Sequence, residues 1–380
     1  MTLKRYLPWL PLRFVFFIFF LLISSSIYAQ ARAKNIILFI GDGLGQAHVV
    51  AARVFAQGPE GRLNMETLEH SGYVTTFTSA EFITDSAAAG TALATGHKTK
   101  KGRLGQSTSG ENYKSILEIA KEMGKATGLV TTTEVTHATP AAFAAHETSR
   151  DSAQAIARDY LQGPRPEVIF GGGSRFWPHE LLNDARAKGY TIINKKWELE
   201  HLDLTRVKKV LGTFTPGHLG FVGERGLEEP SLKEMSLKAL ELLDRDPEGF
   251  FLMIEGGRID HAGHDNDIRK LIFEMMDFDE AVGAVLEWLK AGEGRTLETL
   301  VIVTSDHETG GLSIIGPERH LPKKGEIVQV YWGSSQHTAV DVPIWAQGPG
   351  SERVKGKMDN TEVFELMWDA MALYEETPRP

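Results

Sequence analysis

Short apolar runs alternate with amphipathic stretches along most of this chain. Asn35 to Ile40 is almost continuously apolar, the pattern of a strand buried on both faces. Gly72 to Thr78, Ala126 to Thr132, Glu167 to Phe170, Phe250 to Ile254, Leu300 to Val303 and Val342 to Ala346 also read as strands. Helical patterns fill the gaps: Gln46 to Gln57, a start at Ser86, Tyr113 to Met123, Ser231 to Asp244 and Thr361 to Leu373. The clearest helix is Asn266 to Lys290, whose apolar positions Ile268, Leu271, Ile272, Met275, Phe278, Val282, Leu286 and Leu289 recur mostly at three- or four-residue spacing. Strands alternating with helices predict an α/β fold. The expected form is a three-layer sandwich with a central, mostly parallel β-sheet flanked by helices. Residues 175–230 carry the weakest pattern and are expected to be a small excursion. Leu312 to Tyr331 is expected to form a hairpin or lid.

Polar residues of a particular kind gather in six short groups, four of them just past apolar runs. The groups are Gly41-Asp42-Gly43, Thr84-Asp85-Ser86, Thr136 to Pro140, Glu255 with Asp260 to His264, and Ser305 to Thr309. Gln336-His337-Thr338 is a sixth. In open α/β sheets, ligands bind beyond the carboxyl ends of the strands, so these groups are candidates for one site. Asp260 and His264 are four apart, on one side of a helical turn, a pairing that suits zinc. Asp306-His307 at a strand end can give two ligands to one ion, with Glu308 or a carbonyl orienting the imidazole. Thr139 offers a hydroxyl oxygen of the kind Mg²⁺ accepts. Ser86 opens a run of small residues and reads either as a simple helix cap or as a nucleophile at a helix N-terminus. Arg150 reads either as a surface ion pair or as a bidentate holder of phosphoryl oxygens. His48, His70, His97, His146, His179, His201, His218 and His320 lack such company and read as surface or packing residues.

Composition narrows the chemistry. The chain has 380 residues, 42% hydrophobic, enough for one large domain. It has no cysteine, so any metal must be held by oxygen and imidazole. Residues 1–31 read as a secretion signal. Lys4, Arg5 and Arg13 precede or enter an apolar run from Phe14 to Ile23, and Ala29-Gln30-Ala31 suits cleavage. An uncleaved anchor is the alternative, though the run is short for a span of ~20 residues. Cleavage would leave 38 Lys+Arg against 50 Asp+Glu, moving the net charge from −9 to −12. Such acidity disfavours nucleic-acid binding. Residues 32–380 are expected to be a single catalytic domain, periplasmic or secreted, with no stable membrane span.

The runs NIILFIGDGLG, TDSAAAGTALATG, TTEVTHATPAAFAAHETSR, IEGGRIDHAGH, VTSDHETGG and SSQHTAVDVPIWAQGPG together resemble the alkaline phosphatase family, from about Asn35 to Pro349. The resemblance implies a phosphomonoesterase that passes phosphate through a phosphoserine on Ser86. Asp260, His264 and His337 would hold one Zn²⁺. Asp42, Asp306 and His307 would hold a second, together with the Ser86 oxygen. Asp42, Thr139 and Glu255 would hold a third ion, usually Mg²⁺. Arg150 would grip phosphate and Asp85 would position it. Two positions that vary in the family are His137 and His261 here, as in animal members, which makes Zn²⁺ or Co²⁺ alternatives at the third site. The segment between His307 and His337 is too short for the crown domain of animal enzymes. The implied partners are phosphate monoesters, inorganic phosphate and, commonly, a second copy of the chain. A sulfatase would need a Cys or Ser followed by Pro and Arg two and four residues on, where this chain has Ala88 and Gly90. A phosphodiesterase relative would usually carry Thr in place of Ser86. A non-enzymatic metal- or phosphate-binding protein would not need Ser86 at all.

Overall fold

The computed structural model describes residues 32–372. The proposed signal segment and the last residue of the final expected helix, Leu373, lie outside them. Fourteen strands form among these residues. They are β1 (Asn35–Gly41), β2 (His70–Thr75), β3 (Ala126–Glu134), β4 (Val168–Gly172), β5 (Tyr190–Ile193), β6 (Lys209–Thr213) and β7 (Phe250–Gly256). Then come β8 (Thr299–Thr304), β9 (Glu308–Thr309), β10 (Leu312–Gly316), β11 (Gln329–Trp332), β12 (His337–Thr338), β13 (Val342–Gln347) and β14 (Gly356–Asp359).

Ten of these strands make one sheet in the order β14-β2-β13-β8-β1-β7-β3-β4-β6-β5. β13 pairs antiparallel with both neighbours; every other pairing is parallel, so β13 alone runs against the rest. β1 shows why the central runs are apolar throughout. Ile36, Leu38 and Ile40 enter one core and Ile37 and Phe39 the other, all fully buried. Each such side chain contributes about 1.5–3 kcal/mol on burial. Helices cover both faces, which makes the expected three layers. Ser86–Thr95, Ala138–Ala144 and Asn360–Met371 bury against the first core, and Gln46–Gln57, Leu232–Leu243 and Ile268–Ala291 against the second.

Two expectations need correction. The weakly patterned stretch is not an excursion: it supplies β5 and β6 and extends the sheet to its edge. Those strands are four and five residues long, too short for a clear period. The helix expected from Tyr113 begins at Ile116 instead, because Ser115 caps it and Glu118 returns a bond to the Ser115 N–H. The expected hairpin is present as β10 and β11. Among the described residues no helix is long and apolar enough to cross a membrane.

Candidate metal centre

The four adjacent central strands β8, β1, β7 and β3 end on one side of the sheet. Asp42 follows β1, Glu255 lies in the last turn of β7, and Ser305-Asp306-His307 follows β8. Thr136 to Thr139 leads from β3 into the helix Ala138–Ala144. Asp260 and His264 come from the helix Arg258–His264 after β7, and His337 from β12, which pairs with β9 beside His307. The topology thus gathers residues almost three hundred positions apart in sequence.

Three donor clusters result: Asp260, His307 and His337; Asp42, Asp306 and His307; and Asp42, His137 and Glu255. His264 stands at the first, its Nε2 3.2 Å from His337 Nε2 and 3.3 Å from Asp260 Oδ2. The hydrogen bonds assign the imidazole protons. His264 Nδ1 faces the Ser335 carbonyl at 2.7 Å, and His337 Nδ1 faces the Thr84 carbonyl at 3.0 Å. A carbonyl only accepts, so each Nδ1 carries the proton. Neutral rings would then turn two Nε2 lone pairs and two carboxylate oxygens toward one point, a set that demands a proton or a cation among them. The hydrogen bond to Asp260 lifts His264 to about 9.

The other two clusters are starved of partners. Both Asp42 oxygens, Asp306 Oδ2, Glu255 Oε1, Thr139 Oγ1 and His137 Nδ1 are buried without a hydrogen bond. Buried polar groups are normally satisfied, because desolvation is costly. A group of orphaned oxygens with imidazole nitrogens fits hard or borderline divalent cations. Protonation responds as expected. Burial, then the charge of Asp260, pushes Asp306 up to about 7. Burial and the Asp306 charge raise Asp42 well above its usual range. Burial, then His337, keeps His307 neutral.

The supporting bonds are specific. Asp306 Oδ1 accepts from Gly43 N at 3.2 Å and His307 N at 2.9 Å, which leaves Oδ2 turned inward. Thr131 and Thr133 hydroxyls hold Glu255 Oε2, leaving Oε1 free. Thr309 donates to Asp260 Oδ1. Glu308 does not orient His307. It receives Thr338, Gly311 N and Leu312 N, and so ties β9 to β12 and the hairpin.

Ser86 is the first residue of the helix Ser86–Thr95, 2% exposed. Its Oγ lies 3.2 Å from His307 Nε2, which is itself 3.5 Å from Asp42 Oδ1. The cap is Asp85, whose Oδ1 accepts from Ala88 N at 3.0 Å. That frees Ser86 from the capping task. Asp85 Oδ2 takes Gly102 N at 2.9 Å and Arg150 Nη1 at 3.3 Å. Arg150 Nη2 donates to His137 Nε2 at 3.2 Å. His261 reaches the same wall, its ring 5.9 Å from His137. All the expected site residues therefore meet in one region.

Two histidines read as packing residues belong here too. His218 sits 4.6 Å from the His261 ring and 5.6 Å from the His137 ring. Burial, then His261 and Arg258, lowers it to about 3. It follows β6 in the weakly patterned stretch, so nothing nearby in sequence marks it. His48 is fully buried; its Nδ1 accepts from Gly45 N at 2.9 Å and its Nε2 faces Glu308 Oε1 at 3.5 Å.

Oxygen and imidazole donors gathered in this way beyond the strands of an α/β sandwich make a candidate divalent-metal centre. The family profile described as alkaline phosphatase matches residues 33–329 and 322–373. Alkaline phosphatase 4 of Bacillus subtilis is 32% identical over 91% of this chain and 90% of its own. The cold-active alkaline phosphatase of Shewanella sp. superimposes with a TM-score of 0.81 at 30% identity, covering 89% of this chain and all of that one. A TAB5 alkaline phosphatase variant, with a histidine replaced by aspartate and Mg bound in its M3 site, gives a TM-score of 0.80 at 30% identity. It covers 90% of this chain and 99% of that one. The chain belongs to the alkaline phosphatase family and is a metal-dependent phosphatase.

Proposed function

We propose that the chain hydrolyses phosphate monoesters in two steps through a phosphoserine on Ser86. The observation that carries this is the Ser86 hydroxyl at a helix start, relieved of capping by Asp85 and 3.2 Å from His307 in the Asp42–Asp306 cluster. Asp260, His264 and His337 would hold one Zn²⁺, and Asp42, Asp306 and His307 a second. Asp42, Thr139 and Glu255 would hold a third ion, Mg²⁺ in the family's usual form. Such ions supply positive charge that acidifies the serine hydroxyl and stabilises the departing oxygen.

Ser86 loses its hydroxyl proton to solvent as Oγ attacks phosphorus and the ester P–O bond breaks, and the leaving alkoxide takes a proton from solvent. Water then attacks phosphorus, the Oγ–P bond breaks, a proton of that water returns through solvent to Ser86 Oγ, and hydrogen phosphate leaves. Asp85 anchors Arg150 by Nη1, so Nη2 can exchange His137 for a phosphoryl oxygen and stabilise the charge on it. The free N–H groups of the helix Ser86–Thr95 face the same group. His137 bears on the third ion. In the TAB5 enzyme a Mg-bound M3 site was recorded for a histidine-to-aspartate variant. The native histidine here accordingly favours Zn²⁺ or Co²⁺ in competition with Mg²⁺.

The remaining readings are an exported protein cleaved near Ala31, a single catalytic domain over residues 32–380, and a homodimer. The test of the central reading is an acid quench during turnover of p-nitrophenyl phosphate with Zn²⁺ and Mg²⁺ supplied. Phosphate should be trapped on the peptide that contains Ser86. In Ser86→Ala none should be trapped, and kcat should fall by roughly three orders of magnitude or more, since nucleophile removal costs on that scale. An Ala variant with unchanged kcat removes Ser86 from the mechanism.

A further inference from the structure

Beside the metal-ligand clusters lies a second group of donors that the two-step reaction does not use. Arg258 opens the helix that carries Asp260 and His264. Its Nη1 donates to His261 Nδ1 at 2.6 Å. Among the described residues no carboxylate lies within ion-pair distance of Arg258, and its buried Nε has no partner. Its guanidinium carbon lies 3.8 Å over the centre of the Phe221 ring. Because Arg258 fills the His261 Nδ1 lone pair, the His261 proton sits on Nε2. His218 is set the same way: Glu134 N donates to its Nδ1 at 3.2 Å, so its proton is also on Nε2. The carboxylate closest in sequence to that contact, Glu134, is already taken by Arg175. Arg258 thus spends one N–H on His261, while among the described residues its Nε and the Nε2–H groups of His261 and His218 make no hydrogen bond.

This set adjoins the phosphoryl position. Arg150 touches His137 at 3.2 Å, and the His137 ring lies 5.9 Å from His261, which Arg258 holds. The two guanidiniums are thus joined through two imidazoles. One would hold the transferred phosphoryl group; the other feels the charges of Glu274, Asp265 and Glu224 but makes no contact ion pair with them. Guanidinium is suited to phosphate and carboxylate because its N–H groups form a fixed fork. Lys270 shares the Phe221 ring with Arg258, so the wall carries more than one cation in a chain of net charge −9, and its field favours anions locally.

We propose that Arg258, with His261 and His218, forms a distal oxyanion subsite that receives a second anionic group, phosphate or carboxylate, on the leaving portion of the substrate. Compact esters with two anionic groups are then preferred over matched esters with one. This inference rests on the phosphomonoesterase reading above.

The experiment compares propyl phosphate with trimethylene bisphosphate as substrates, and propylphosphonate with trimethylene diphosphonate as ligands of the metal-loaded protein. Wild type should favour the doubly anionic member of each pair. Arg258→Gln should cut the ratio of kcat/KM between the two esters by about tenfold, the scale of a charge-assisted hydrogen bond. Arg258→Lys, which keeps the charge but not the fork, should recover part of the ratio. A ratio unaltered in Arg258→Gln, or an equal loss on both esters, overturns the subsite and leaves Arg258 a packing residue on Phe221. Carboxylated and phosphorylated analogues of one alcohol then tell which oxyanion is preferred. If wild type cleaves neither ester, the phosphomonoesterase reading fails, and the phosphonate affinities still decide the subsite.

Discussion

Asp42 stands in two of the three donor clusters, and neither of its oxygens has a hydrogen bond. One carboxylate shared between two cations needs both oxygens clear, and the turn around it keeps them so. Gly43 makes this possible. It has φ +75, and a Cβ there would sit 2.7 Å from Asp260 Cα and 2.9 Å from Asp260 Oδ1. The motif Gly-Asp-Gly is ambiguous in sequence, since any turn can carry a solvated Asp. Its meaning comes from that close approach of two chain segments more than two hundred residues apart. Gly43→Ala should therefore strain the backbone by about 1–2 kcal/mol and displace Asp260. Activity should fall more steeply than the melting temperature. A variant with wild-type kcat and metal affinity would show that the Gly43–Asp260 contact does not set the site. His218 is the contrasting case: its role depends on β6 lying next to β4, which no local signal announces.

At the level of elements, the site depends on two short helices pressed together. Ser86–Thr95 and Ala138–Ala144 bring Ser86 and Thr139 into one region, and both are built of small residues. Gly90 lies at their contact. A Cβ there would stand 3.1 Å from Ala142 Cβ and 3.6 Å from Thr139 Cα. The run of small residues was legible in sequence, and so was the helix start at Ser86. The reason for the run, close packing behind Ser86, needed the partner helix. Gly90→Val should cost about 1–3 kcal/mol by overpacking, read by denaturant unfolding, with a matching loss of kcat as Ser86 and Thr139 separate. Unchanged stability and turnover would mean that the helices have slack. The central strands were legible for a plain reason: burial on both faces leaves an unbroken apolar run. β5 and β6 were not, because a short edge strand carries too few positions to show a period.

For the whole molecule, the sheet order puts four strand ends side by side, and the burial this requires has consequences for pH. His48 and His218 are held at about 4 and about 3. Burial is the first cause for both. The unfolded chain protonates such residues near ~6.5. Their folded values are depressed, so their contribution is complete above that pH and is lost as pH falls toward about 4. The melting temperature of the metal-loaded protein should drop across that window, and His218→Asn should flatten the drop. A profile with no such fall, or one that His218→Asn leaves unaltered, counts against the buried neutral imidazoles. The six motifs, scattered over almost three hundred residues, were legible as one site chiefly because four of them sit just past apolar strand runs. That these clusters would hold three ions follows only from the resemblance. The most direct test of the account uses a phosphate monoester made chiral at phosphorus by oxygen isotopes, turned over by the wild-type enzyme into an acceptor alcohol. Two successive in-line displacements, the first by Ser86, predict net retention of configuration. Net inversion would mean a single direct displacement, and the phosphoserine route would be wrong.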